Sequence, residues 1–241
     1  MQKEVSRVVQ PFLEAADAVL PKGYSALLYG SAARDEFVPG RSDVNLMLIP
    51  GHVDPAVMAA LSAALRGWEL EKQPPPLLLS REELRQGTDV FPIEITDIKV
   101  AYQVLRGEDP VAGLTVKPSD LRRALERELR GKQLRLRQAY AAFREKPEML
   151  GPVAQGSIAV ILVLFRSVLC LLEQPVPDTS PATVRVASEA LGVDGALLGD
   201  ILKHRAEEHW SMERERFEQY MTAVAQVVRK VDEHKHPGDP I

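Results

Sequence analysis

An α+β fold is predicted for this chain of 241 residues, with a small mixed sheet and flanking helices over 1–117 and an all-α helical bundle over 118–236. Three observations predict it. In the first half, apolar runs of strand length at 26–29 and 42–49 are bounded by glycine, proline and serine. Strand signals stop at Pro118. Beyond it Leu121, Leu125, Leu129, Leu136, Tyr140 and Phe143 recur at helical spacing, and further apolar stripes follow down to Val231.

The elements follow in order. Val5, Val8, Val9, Phe12, Leu13, Ala16, Val19 and Leu20 mark one face of a helix, with Pro11 as a site for a bend and Pro21-Lys22-Gly23 as its stop. Strand 26–29 runs into Gly30-Ser31, and strand 42–49 returns after Pro39-Gly40-Arg41. Pro55 opens a helix to about Arg66, followed by a strand near 68–70. The run Pro74-Pro75-Pro76 gives way to a short strand at 77–79, and Ser80 caps a brief helix with Glu82 and Glu83 in its first turn. The stretch 90–98 alternates Ile93-Glu94-Ile95-Thr96 and reads as a strand, with a last element at 102–106.

In the second half the long helix ends at Lys146-Pro147. Its outer face is basic, with nine Arg and Lys against three Glu between Leu121 and Lys146. Residues 158–172 read as a buried helix, shorter than the ~20 residues that cross a bilayer. Arg166 within it must find a carboxylate or an aqueous opening. Cys170, among leucines, reads as core. Ser180-Pro181 opens another helix, one more follows Asp194, and the last carries Trp210, Phe217, Met221, Val224, Val228 and Val231 on one stripe. The tail 237–241 is expected to be disordered.

Composition narrows the function. At 45% apolar and 27% charged the chain is a soluble globular type, and a net charge of −4 argues against nucleic-acid binding by bulk electrostatics while permitting a local basic groove. A single cysteine excludes an internal disulfide and fits a reducing compartment. No secretory signal stands at the N-terminus, so a cytoplasmic location and no membrane association are expected. The composition is compatible with a homo-oligomer.

The chemistry concentrates at 27–49. Gly30 lets a bulky group approach the backbone, Ser31 can cap a following helix, and Arg34 adds positive charge one turn on, which makes a corner suited to phosphate. Asp43 and Asn45, two apart on a strand, project to the same side beside it. A carboxylate and an amide there suit a cation and a phosphate together.

Gly30-Ser31 followed by Asp43-Val44-Asn45 and an apolar run resembles the signature of the nucleotidyltransferase superfamily, which includes polymerase beta-like and kanamycin-nucleotidyltransferase-like enzymes. The likeness covers about the first 110 residues; the family's second carboxylate is replaced by Asn45. The resemblance implies transfer of a nucleoside monophosphate from a nucleoside triphosphate to a hydroxyl of a small molecule or protein, with Mg2+ or Mn2+. It implies that Gly30, Ser31, Arg34 and Ser42 hold the nucleotide. Asp43, Asn45 and Glu94 would bind metal, and Asp43 and Glu94 would be catalytic. Asp97 is the less favoured third carboxylate. The alternative is a catalytically degenerate module that binds nucleotide or a protein, because Asn45 brings no charge to the metal. The acceptor is not specified by any of these residues.

Overall fold

The computed structural model describes residues 1–234, so the expectations for 235–236 and for a disordered tail at 237–241 lie outside the described residues. The chain divides into two units. The first comprises 1–91 and 98–115, and the second comprises 92–97 and the chain from 116 onward.

The first unit is a four-stranded mixed sheet with helices. It contains α1 (Lys3–Val19), β1 (Ser25–Tyr29), β2 (Asn45–Ile49), α2 (Pro55–Leu70), β3 (Leu77–Leu78), α3 (Arg81–Gln86) and β4 (Tyr102–Arg106). The strand order is β3-β2-β1-β4, with β1 antiparallel to both β2 and β4, and β3 parallel to β2. Alternation along the strands sends Ala26, Leu28, Leu46 and Leu48 to the face packed by Val9 and Leu13 of α1 and Leu61 and Trp68 of α2. The Phe12 and Trp68 rings meet at 4.8 Å between centroids. α1 runs through Pro11, whose ring is exposed.

Two expected strands are helical. The segment 68–70 completes α2, because Val57, Leu61, Ala64 and Trp68 keep helical spacing past Gly67 and the Trp68 indole donates to the Pro74 carbonyl at 2.7 Å. The segment 90–98 is replaced by α4 (Pro92–Val100). Pro92 sits at the start of α4, where its fixed φ suits a helix and its missing N–H costs nothing, and Glu94 in the first turn complements the helix dipole. Ile93, Ile95, Thr96, Asp97 and Ile98 are all buried. A short helix buried on nearly every side has no 3.6-residue stripe, and its alternation mimics a strand.

The second unit is all helix: α5 (Pro118–Phe143), α6 (Pro147–Leu171), α7 (Ser180–Leu191), α8 (Gly195–Lys203) and α9 (Arg214–Glu233). Leu125 and Leu129, Ile158, Ile161 and Phe165, Leu198, and Phe217, Tyr220 and Val224 share one core, which Ile93 joins. α6 begins at Pro147, well before 158, because Gly151, Pro152 and Gly156 lie inside it and disguise its first turns. At 25 residues it is long and apolar enough, on length and composition alone, to cross a membrane, so the expected length argument fails; more than half of its most apolar window is buried within the chain. Cys170 is exposed, not core, since the helical period turns it away from buried Leu169 and Leu171. Trp210 precedes α9 instead of lying on it.

Buried phenols give each unit an alkaline liability. Burial first, then a 2.6 Å hydrogen bond to Asp17, holds the Tyr24 pKa well above its ordinary value; burial does the same for Tyr220, against a smaller opposing effect of Ser157 at 2.9 Å. The folded state keeps these protons where the unfolded chain loses them, so stability falls as pH rises past about 10. The urea midpoint is expected to be lower at about pH 11 than at about pH 8, and Tyr24→Phe with Tyr220→Phe to reduce that loss. An unchanged pH dependence in the double variant would remove this cause.

Candidate functional site

The candidate site lies at the end of β1, in the first unit. Gly30 follows Tyr29 with a φ of 73°, in the left-handed region, and opens a three-residue 3₁₀ turn, Gly30–Ala32. The expected helix after Ser31 is therefore no more than this turn. The Ser31 carbonyl accepts from the N–H groups of Arg34 at 3.2 Å and Glu36 at 2.9 Å.

Register explains why position 30 is glycine. Asn45 is the first residue of β2 and pairs directly with Tyr29. A Cβ on Gly30 would lie 2.6 Å from the Asn45 Nδ2, so the Asn45 amide occupies the space that a side chain at 30 would need. The sequence motif and the structure thus bring Gly30, Ser31 and Asn45 into one corner.

Asp43 lies two residues ahead of β2, not on it as expected. Exposure nevertheless alternates from Asp43, exposed, through Val44, buried, to Asn45, half-buried, so the carboxylate and the amide both face away from the core. The Val44 N–H donates to the Gln73 Oε1 at 2.8 Å, which holds this lead-in segment. Gln73 was not foreseen, and nothing local in the sequence signals its role. Ser42 is buried, and its hydroxyl accepts from the Val38 N–H at 3.1 Å. That makes it a clasp for the loop before Asp43. Arg34 is buried too, at 8% exposure, so the expected positive charge is largely covered.

The third carboxylate does not appear on the sheet. Glu94 is exposed in the first turn of α4, within the segment 92–97 that belongs to the second unit. Asp97, the less favoured choice, is buried and accepts from the Arg166 Nε at 2.7 Å. None of the four strands carries an aspartate or glutamate. β4, beside β1, presents Tyr102 opposite Tyr29 and Gln103 opposite Leu28. Tyr102 donates to Asp109 at 2.7 Å, and that bond, then burial and the Asp109 charge, raises its pKa. Burial alone would raise Asp109, but bonds from Tyr102 and the Val111 and Ala112 N–H groups outweigh it and hold the carboxyl below its ordinary value.

Among the described residues, no group of three or more His, Cys, Asp and Glu side chains is gathered for a metal. The donor set at the corner is one carboxylate, Asp43, and one amide, Asn45. Magnesium takes a carboxylate, phosphate oxygens and water, so this set fits an ion delivered with a triphosphate better than a resident ion held by protein alone. No protein-family model matches the chain, and no curated protein matches it either.

Proposed function

We propose that the chain is a nucleotidyltransferase-like module that holds a magnesium nucleoside triphosphate at the Gly30–Asn45 corner and is weakened in transfer. The observation that carries this reading is the Asn45 amide lodged in the Cβ space of Gly30, beside an exposed Asp43. The turn Gly30–Ala32 would present its backbone, and Ser31 its hydroxyl, to phosphate oxygens. Asp43 would share the nucleotide's metal, and Asn45 would donate its N–H to phosphate or lend its oxygen to the ion. Bound Mg2+ would neutralise the triphosphate and polarise the reacting phosphorus. Transfer also needs an acceptor hydroxyl to lose its proton to a base near the metal. With Asn45 in place of a carboxylate and no acid on the strands, Asp43, in the lead-in to β2, would do that work.

Calorimetric titration with a non-hydrolysable nucleoside triphosphate and Mg2+ or Mn2+ tests the reading. Wild type is expected to bind. Asp43→Asn is expected to bind at least about tenfold more weakly, the equivalent of about 1.4 kcal/mol, and Asn45→Asp to bind metal-nucleotide more tightly. If wild type takes up no nucleotide, or Asp43→Asn binds as well as wild type, the corner is not a nucleotide site.

A further inference from the structure

The outer face of α5 carries a row of arginines that the nucleotide corner does not use. Among its exposed positions, Arg123, Arg127, Arg130, Leu134, Arg137, Ala141 and, at the C-cap, Arg144 stand alternately four and three residues apart. Residues at that spacing lie along one line of a helix, while Leu121, Leu125, Leu129 and Leu136 on the other side enter the core. Arg123, Arg130, Arg137 and Arg144 follow one another at intervals of about 10.5 Å and span about 31 Å.

We infer that this row is a docking surface for the phosphate backbone of double-stranded nucleic acid. At least half of each measured side chain is exposed: 72% for Arg123, 76% for Arg127, 50% for Arg130 and 54% for Arg144. Their present partners are surface carboxylates in most cases. Arg127 meets Glu128 at 3.5 Å, Arg130 meets Glu126 at 3.2 Å and Asp232 at 2.7 Å, and Arg144 meets Glu145 at 3.0 Å; Arg123 pairs with the buried Asp120. Exposed pairs of this kind are worth about 1 kcal/mol or less, so the guanidinium groups can exchange a carboxylate for a phosphate, whose oxygens their planar forks match.

Charge and composition select the partner. The chain's net charge of −4 does not prevent the contact, because charges farther off than a Debye length of about 8 Å are screened at physiological salt. The row contains no aromatic ring on which unpaired bases could stack, which disfavours a single strand. Leu134 is its one large apolar side chain, too little to anchor in a bilayer or to form the apolar seam of a helix pair. An evenly spaced arginine row without apolar anchors suits a regular, highly charged rod.

Fluorescence anisotropy of a labelled duplex of about 20 base pairs, longer than the row's reach, tests the inference. DNA and RNA arms of one sequence distinguish the two sources of phosphate. If the five arginines each contact a phosphate, wild-type affinity for DNA is expected to fall about 500-fold between about 50 and 200 mM salt, and that of Arg127→Gln/Arg137→Gln/Arg144→Gln about tenfold. The matching triple Lys variant should keep the wild-type salt slope. The proposal is overturned if wild type binds neither duplex at about 50 mM salt, if the Gln variant keeps the wild-type slope, or if the Lys variant loses it. None of these residues belongs to the Gly30–Asn45 corner, so failure of either reading leaves the other standing.

Discussion

Asp97→Ala is expected to destabilise the helical unit by about 3–5 kcal/mol, the range for removing one partner of a buried ion pair. The Arg166 side chain is 4% exposed in the C-terminal part of α6, and its Nε donates to Asp97 at 2.7 Å. A further acceptor among the described residues, the Thr183 hydroxyl, lies 3.5 Å from Nη1, at the limit of a hydrogen bond, and carries no charge to balance the guanidinium. Without Asp97 the guanidinium stays in a low-dielectric core with little compensation. Arg166→Met in the same chain is expected to recover much of the loss, because an apolar side chain of similar length needs no partner. Urea unfolding followed by circular dichroism measures both effects. A change below about 1 kcal/mol in Asp97→Ala would show that water reaches Arg166.

The second large effect is expected at Gly151. A Cβ there would lie 2.0 Å from the Trp210 carbonyl oxygen and 2.8 Å from its carbon. Both are backbone atoms, so relief requires the 204–212 segment to lift from α6. That movement would strain the bond from the Met212 N–H to the Pro147 carbonyl at 3.0 Å. It would also strain the bonds from the Gln155 amide to the His204 and Glu207 carbonyls at 2.6 and 3.0 Å. Gly151→Ala is expected to cost about 1–3 kcal/mol, the usual range for overpacking, with a red shift of Trp210 emission as its stack on His204 loosens. The chain has two tryptophans, so a Trp68→Phe background isolates the signal. Unchanged emission and melting temperature would mean that the segment is already detached.

What the sequence revealed depended on whether local pattern and tertiary environment agreed. β1 and β2 were legible because a buried strand is apolar throughout and ends at turn residues, as 26–29 and 45–49 do. The stripes of α1, α5 and α9 were legible because each of those helices has a wet side. α4 lacks one. With Ile93, Ile95, Thr96, Asp97 and Ile98 all inside, the only visible rhythm was the false alternation around Glu94. Glu94, expected on a strand, stands instead in the first turn of α4. Gly30, Ser31 and Asn45 lie together since the pairing of β1 with β2 fixes their proximity. Asp43 was placed on the strand, whereas it lies two residues ahead of it. The roles of Gln73 and Ser42 depend on loop closure, which no periodicity encodes. For α5 the excess of positive charge could be counted in advance, whereas the straight arginine row and its carboxylate partners required the helix's exposed face to be known.

The chain's route has a consequence for how the protein can be divided or inherited. Residues 92–97 belong with the helices although the residues on either side, 91 and 98, belong with the sheet. A gene segment ending near 117 would carry Ile93 and Asp97 away from the core and the arginine that accommodate them, and one beginning there would leave Arg166 facing a void. Neither half is a cassette that a single cut could release intact.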